Sequence, residues 1–319
     1  MVASSSTRSV LLSPGTRLLD GFASAVSLHG SRDAVVDGEE RLTYSELDAA
    51  SDRIAAAVIA AAGQDAASFS GREPGRDQPV VGVLLPRSLA NTAAWAGAAK
   101  AGFAYAPMSL EWPAERIRKV VERCSMQVVL SEPRYWDRPG LESVTLVDAA
   151  ALLREGDVPD ARRQSCPDGG ASLPLYVIHT SGSTGEPKGV LVSHDNVFTV
   201  LSPAGEYGLT PGSRLLHNIA VTFDLAMMEV WGALLHGGTI IVPQTETVPD
   251  APRPKEQLER LAADRPILPT SVLTALPVTD PLPWPRLLVI ALSRDMPHLC
   301  TIAAAYAPCS STTAPHPHA

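Results

Sequence analysis

The stretch Leu175-Tyr-Val-Ile-His-Thr-Ser-Gly-Ser-Thr-Gly-Glu-Pro-Lys-Gly-Val-Leu-Val-Ser-His194 places a loop of small and hydroxyl residues between two apolar segments. Residues 175–178 and 190–192 have the composition of buried strands. The loop glycines carry no Cβ and can adopt positive φ, so successive backbone N–H groups can converge on an anion. The ammonium of Lys188 adds a compact positive charge that suits phosphate. The stretch therefore predicts a cradle for a polyphosphate, and the candidate residues are Thr180, Ser181, Gly182, Ser183, Thr184, Gly185, Lys188 and Gly189.

The spacing of this loop differs from that of the Walker phosphate loop, which requires Gly, four residues and then Gly-Lys-Ser/Thr. Here Glu186 and Pro187 separate Gly185 from Lys188. A P-loop nucleotide hydrolase is therefore not favoured. A plain surface linker is the other alternative, since clusters of Gly, Ser and Thr usually mark loops. A linker, however, rarely carries a lysine after a proline between two strand-like segments.

The segment from Thr180 to Gly189 resembles the phosphate-loop signature of the adenylate-forming enzymes. These comprise the amino-acid adenylation domains of nonribosomal peptide synthetases, the acyl-CoA synthetases and the luciferases. The family usually has Tyr before the Thr, where this chain has His179. The resemblance implies the α/β fold of the large N-terminal domain of these enzymes, with parallel sheets flanked by helices. It also implies ATP and Mg²⁺ as cofactors, and Thr184 is the candidate metal ligand.

The first half of the chain reads as scaffold in which strands and helices alternate, and this order predicts a parallel sheet covered by helices. Thr43 and Glu46 have the spacing of a capping box, which predicts a helix running to about Ala62. Residues 42–47, 100–107 and 112–117 resemble further family segments. The charged Glu115 and Arg116 are expected on a solvated helix face. The other expected strands lie at 34–37, 41–43, 80–85, 103–107, 127–130 and 143–147, and the other expected helices at 88–100 and 113–122.

A second informative stretch begins with Phe223-Asp224 and continues into an apolar segment of helical spacing that ends at Gly237-Gly238. Taken alone, Asp224 is best explained as a helix N-cap. The stretch also resembles the substrate-binding segment of amino-acid adenylation domains. That resemblance implies that Asp224 pairs with the α-ammonium of the substrate and that Phe223 borders its carboxylate. It also implies that Leu225 and Met228 line the side-chain pocket. Acyl-CoA and aryl-acid relatives usually lack the Asp.

The composition limits the class of protein. The chain has 319 residues, 45% of them hydrophobic, and a net charge of −8 without a long basic run. A globular protein is predicted, and nucleic acid and membrane are poor partners. The four cysteines have no metal or redox spacing, which predicts a reducing, cytoplasmic location. His194 is expected to be structural, because no second ligand stands beside it at metal spacing.

The expected domain organisation follows the resemblance. Residues 1–16 are expected to be disordered, and residues 17–290 to form a partial adenylation large domain, with 17–150 as its first part and 173–290 as the phosphate-loop and substrate part. Residues 291–319 show no periodicity and are expected to be disordered or aberrant sequence, for example from a frameshift. The family segments that supply the adenine contact, the ribose-binding Asp and the catalytic Lys do not occur in the 319 residues. No catalytic residue is therefore assigned, and the chain alone is expected to be inactive and poorly soluble.

The resemblance implies ATP-dependent activation of an amino acid as aminoacyl-AMP for nonribosomal peptide synthesis, a part of secondary metabolism. The implied partners are the amino acid and a phosphopantetheine carrier protein. Two alternatives stay open at this point. One is a fragment of an acyl-CoA or aryl-acid synthetase, and the other is a non-catalytic remnant that at most binds nucleotide weakly.

Overall fold

The computed structural model describes residues 18–63, 78–154, 172–181, 187–201, 209–243, 265–268 and 288–289. The terminal segments 1–16 and 291–319, on which the sequence makes predictions, lie outside this set. Its helices are α1 (Leu18–His29), α2 (Tyr44–Ala62), α3 (Leu89–Lys100), α4 (Ala114–Arg123), α5 (His194–Leu201) and α6 (Asp224–Leu235). Its strands are β1 (Asp33–Asp37), β2 (Glu40–Thr43), β3 (Val80–Val83), β4 (Ala104–Pro107), β5 (Val128–Ser131), β6 (Thr145–Asp148), β7 (Pro174–Ser181), β8 (Pro187–Ser193), β9 (Arg214–Leu216), β10 (Thr239–Val242), β11 (Arg265–Leu268) and β12 (Leu288–Val289).

The strands form two six-stranded sheets, with orders β12-β11-β9-β10-β1-β2 and β6-β5-β3-β4-β7-β8. All pairings are parallel except β1 with β2 and β7 with β8, so each sheet carries one antiparallel strand at an edge. The predicted α/β class with parallel sheets is confirmed. Each sheet combines strands from before residue 155 and after residue 171, because β1 pairs with β10 and β4 pairs with β7.

Local hydrogen bonds set the start of α2 as the sequence predicts. The Thr43 hydroxyl accepts from the backbone N–H of Glu46, and the Glu46 carboxylate accepts from the backbone N–H of Thr43. These hydrogen bonds from Thr43 hold the pKa of Glu46 below its usual range. The capping box is therefore complete.

Ser193, which is still extended at the end of β8, caps the start of α5. The Ser193 hydroxyl accepts from the N–H of Asn196, and the Asn196 side chain accepts from the N–H of Ser193. The two residues therefore cap the helix reciprocally. His194 is buried as the first helical residue, in agreement with its expected structural role.

Helices α3 and α6 are buried along nearly their whole length, which explains why their sequences are apolar on all sides. At Gly97 of α3, a Cβ would come within 2.5 Å of the Ile54 side chain of α2, so this close helix contact requires glycine. A large core cluster joins residues of both sheets, and a smaller one lies under α4 on the other face of the second sheet. None of the described helices has the length and apolarity needed to cross a bilayer.

Candidate phosphate and substrate site

The predicted phosphate loop connects the two strands of an antiparallel hairpin. Strands β7 and β8 pair with Thr180 opposite Lys188 and His179 opposite Gly189. The structure therefore places Thr180 and Ser181 in the end of β7, where the sequence interpretation had the loop begin. Residues 182–186, which include the candidates Gly182, Ser183, Thr184 and Gly185, lie outside the described residues. The Lys188 side chain is exposed at the loop end of the hairpin.

The side chain of His179, a residue of β7, is buried between the Cys124 thiol and the backbone of Gly189. Its Nε2 lies 3.5 Å from the Cys124 thiol, and a Cβ at Gly189 would come 3.5 Å from the same nitrogen. Burial, together with the charges of Arg116 and Arg123, lowers the pKa of His179 to about 4. Burial raises the pKa of Cys124 to about 11. At neutral pH the pair is thus an uncharged imidazole and a thiol, which is a packing contact rather than a nucleophile and its base.

The position of Arg116 corrects one sequence expectation. Its guanidinium stacks over the Trp112 ring with 4.1 Å from Cζ to the ring centroid, and the residue is half-buried. Glu115 is exposed as expected and pairs with Arg118. The stem of Arg116 is covered because α4 packs on the second sheet at this turn, so only Glu115 belongs to a solvated face.

The low pKa of His179 predicts a dependence of stability on pH. Above about pH 6.5 this imidazole is neutral in both the folded and the unfolded chain, so its contribution to the free energy of unfolding is fully present. As the pH falls from about 6.5 to about 4, the unfolded chain gains a proton that the folded chain does not, so the free energy of unfolding decreases. We expect the melting temperature to fall over this range, and His179→Tyr to reduce the fall. A pH profile of melting temperature that is parallel in the variant and the wild type would contradict this expectation.

The predicted substrate residues lie at the start of α6. Phe223 occupies the N-cap position with extended backbone and no side-chain cap, so the interpretation of Asp224 as the N-cap is wrong. Asp224 is the first helical residue, and its Oδ1 accepts from the N–H of Leu225 at 2.9 Å. Both Phe223 and Asp224 are exposed. The carboxylate therefore remains accessible to a ligand at a helix N-terminus.

Aromatic contacts connect α6 with β7, the first strand of the phosphate hairpin. The pKa of Tyr176, a residue of β7, is raised by burial and by the charge of Asp224. Tyr176 stacks on Tyr105 of β4 with ring centroids 5.6 Å apart, and the Tyr105 hydroxyl accepts from the indole N–H of Trp231 on α6 at 3.0 Å. This chain of contacts ties α6 to the strand that leads into the phosphate loop. The structure thus brings together two stretches that are separate in sequence.

Leu225 and Met228 point into the protein. They are 3% and 6% exposed and belong to the large core cluster, with the fully buried Trp231 one turn beyond Met228. Their sequence interpretation as pocket-lining residues stays a prediction. Across the described part of the chain, no group of three His, Cys, Asp or Glu side chains is placed to hold a metal ion.

The sequence interpretation missed a buried polar cluster beside this site. Glu229 of α6 lies 2.7 Å from Nδ1 of His217, and both residues are fully buried. Arg87, before α3, donates to the backbone next to His217. The available signal was Glu229 itself, since it is the only charged residue in α6 after Asp224.

A family model described as "AMP-binding enzyme" matches residues 22–314. This chain belongs to the AMP-binding enzyme family. The match extends past Ile290, where the resemblance by motif ends.

The homologues are adenylation domains of nonribosomal peptide synthetases. Syringomycin synthase SyrB1 of Pseudomonas syringae pv. syringae is 32% identical over 240 residues, which are 74% of this chain and 36% of that protein. The nonribosomal peptide synthetase FmoA3 has a TM-score of 0.65 at 26% identity, over 82% of this chain and 26% of that chain. FmoA3 structures also include forms bound to α-methyl-L-serine-AMP and to AMPPNP.

A further solved structure supports the fold alone. PA1221, a nonribosomal peptide synthetase protein containing adenylation and PCP domains, has a TM-score of 0.68 at 20% identity, over 86% of this chain and 44% of that chain. The chain therefore spans less than half the length of each of these three relatives.

Proposed function

We propose that this chain is the phosphate-binding and amino-acid-binding part of an acid–AMP ligase that activates an amino acid as aminoacyl-AMP. The observation that carries the proposal is the exposed carboxylate of Asp224 at the start of α6, a helix that the contacts of Trp231, Tyr105 and Tyr176 join to the strand entering the phosphate loop. A carboxylate there can pair with an α-ammonium, while Lys188 and the loop N–H groups receive the phosphates of ATP. FmoA3 bound to an amino-acid adenylate supports this arrangement.

The reaction needs no general base from the protein, because the nucleophile is the substrate carboxylate. That carboxylate attacks the α-phosphate of ATP, giving acyl-AMP and pyrophosphate. Lys188 and oriented N–H donors stabilise the negative charge on the phosphate oxygens. Thr184 is the proposed protein ligand for Mg²⁺, which would supply further positive charge when bound with ATP. AMPPNP bound to FmoA3 supports ATP as the nucleotide.

The proposed partners and location follow from the same family. The proposed acceptor of the activated acyl group is a phosphopantetheine carrier protein, as the resemblance to amino-acid adenylation domains implies. The cytoplasm is the proposed compartment, on the grounds of the cysteine spacing.

A screen of the twenty proteinogenic amino acids by thermal shift, with the 319-residue chain and pyrophosphate present, tests the proposal that the chain binds an amino acid. At least one amino acid is expected to raise the melting temperature, and no rise with any of them counts against it.

Replacing Asp224 by Asn is expected to weaken binding of that amino acid at least tenfold. The substitution removes the charge that pairs with the ammonium and leaves the phosphate loop intact. Titration calorimetry of the amino acid and, separately, of pyrophosphate checks this split. The matched control is Asp195→Asn, which removes an exposed carboxylate from the first turn of α5. Equal loss of affinity for both ligands would show that Asp224 acts only on the stability of the helix.

A further inference from the structure

The side chains of Glu229 and Arg87 bind the backbone of residues 217–219. Glu229 accepts from N–H groups of this segment, and Arg87 donates to its carbonyl groups. Residues 217–219 follow β9, and the Glu229 carboxylate accepts the N–H groups of Asn218 and Ile219 at 3.2 Å each. The same carboxylate lies 2.7 Å from Nδ1 of His217. One buried side chain of α6 thus receives three polar groups of the segment that precedes the helix.

Arg87 binds the carbonyl groups of the same two residues, Asn218 and Ile219. Its Nη1 donates to the carbonyl of Asn218 at 3.0 Å and to that of Ile219 at 3.4 Å. The backbone N–H of His217 donates to the carbonyl of Ile241 at 2.8 Å, which continues the pairing of the sheet. The segment is therefore held by a cation from the start of α3, a carboxylate from α6 and a neighbouring strand.

This segment leads directly to the substrate residues. Only four residues separate Ile219 from Asp224, and a turn closes them, since the N–H of Phe223 donates to the carbonyl of Ala220 at 2.9 Å. Glu229 stands on α6 itself, five positions after Asp224. A side chain of α6 therefore holds the segment that leads into α6. The position of Asp224 at the start of the helix thus depends on the contacts of Glu229 and Arg87.

We propose that Glu229 and Arg87, with His217, are positioning residues that set the placement of Asp224 toward the substrate ammonium. The inference rests on the proposed function for its ligand and on the hydrogen bonds above for its geometry. A side chain that only filled the core could be apolar at lower desolvation cost, whereas Glu229 offers acceptors to two N–H groups of this segment. Burial raises the pKa of Glu229 well above its usual range, although the N–H donors and Arg87 lower it. Burial and Arg87 lower the pKa of His217 to about 3, so its imidazole is neutral at pH 7.

Hydrogen–deuterium exchange of the 319-residue chain, read by mass spectrometry, tests the hydrogen bonds directly. In Glu229→Ala, exchange in residues 217–224 is expected to accelerate at least tenfold. In Glu229→Gln it is expected to stay within about threefold of the wild type, because the amide oxygen still accepts the two N–H groups. Lys100→Met is the control for general destabilisation: it breaks a buried ion pair between α2 and α3 outside this segment, so its faster exchange is expected to spread over the chain and not to concentrate in residues 217–224. Exchange that is unchanged or uniformly faster in Glu229→Ala overturns the proposal.

The Arg87→Ala variant supplies a second, milder test if Glu229→Ala fails to fold. It is expected to accelerate exchange in the same residues and to weaken amino-acid binding at least fivefold, with pyrophosphate binding within twofold of the wild type. Equal weakening for both ligands overturns the positioning role. If the wild-type chain binds no amino acid, the proposed function fails, and the exchange experiment still decides whether these residues hold the segment.

Discussion

Replacing Lys100 by Met is expected to lower the free energy of unfolding by about 3–5 kcal/mol, the range for breaking a buried ion pair. The ammonium lies 2.7 Å from a carboxylate oxygen of Asp48 and 2.7 Å from one of Asp52, both on α2. It also donates to the carbonyl of Asp48 at 2.8 Å and lies 5.7 Å from the centre of the Phe22 ring. Without it, two largely buried carboxylates face each other without their shared cation.

Urea denaturation of the 319-residue chain measures this effect. Lys119→Met is the control, because the pair of Lys119 with Glu115 is exposed, spans 3.6 Å and is expected to contribute about 0–1 kcal/mol. A loss below about 1 kcal/mol in Lys100→Met would place the buried pair in this same weak class. That result would contradict its role in joining α2 to α3.

Replacing Lys188 by Ala is expected to weaken pyrophosphate binding by about 1.5–3 kcal/mol, the range for a hydrogen bond to a charged group. This corresponds to a dissociation constant roughly 10 to 150 times higher. Lys188 lies opposite Thr180 at the loop end of the hairpin, and its side chain is exposed. Its ammonium can therefore reach an anion held by the loop.

Titration calorimetry with pyrophosphate checks this value. Lys119→Ala removes the same charge from an exposed position on α4 and separates a general charge effect from a specific contact. Affinities for pyrophosphate that match in wild type and Lys188→Ala would remove this lysine from the proposed site.

Several features are predictable because their causes are local in sequence. The capping box of Thr43 and Glu46 requires only residues three positions apart, and the apolar segments around the phosphate loop are continuous. The positive φ of Gly102 and Gly237 after their helices likewise follows from glycine at a helix end. Such local features were sufficient to predict the fold class and many of the strands and helices to within a few residues, whereas β9 was not predicted.

Other features depend on contacts between distant residues. Arg87 and Glu229 are 142 positions apart, yet both bind the backbone of Asn218 and Ile219, and no periodicity in the sequence predicts this contact. The interpretation of Asp224 as the N-cap failed because the turn from Ala220 to Phe223 delivers Phe223 in the cap position. The distribution of strands between the two sheets also depends on long-range pairing, such as that of β1 with β10.

The central claim is that Asp224 recognises the α-ammonium of an amino acid substrate. The most direct test compares the amino acid found in the thermal-shift screen with the same acid lacking its amino group, each added to the 319-residue chain with pyrophosphate. We expect that only the amino acid raises the melting temperature and that Asp224→Asn abolishes the difference between the two acids. An equal rise in melting temperature with the acid that lacks the amino group would contradict recognition of the ammonium by Asp224. It would favour an acyl-CoA or aryl-acid synthetase.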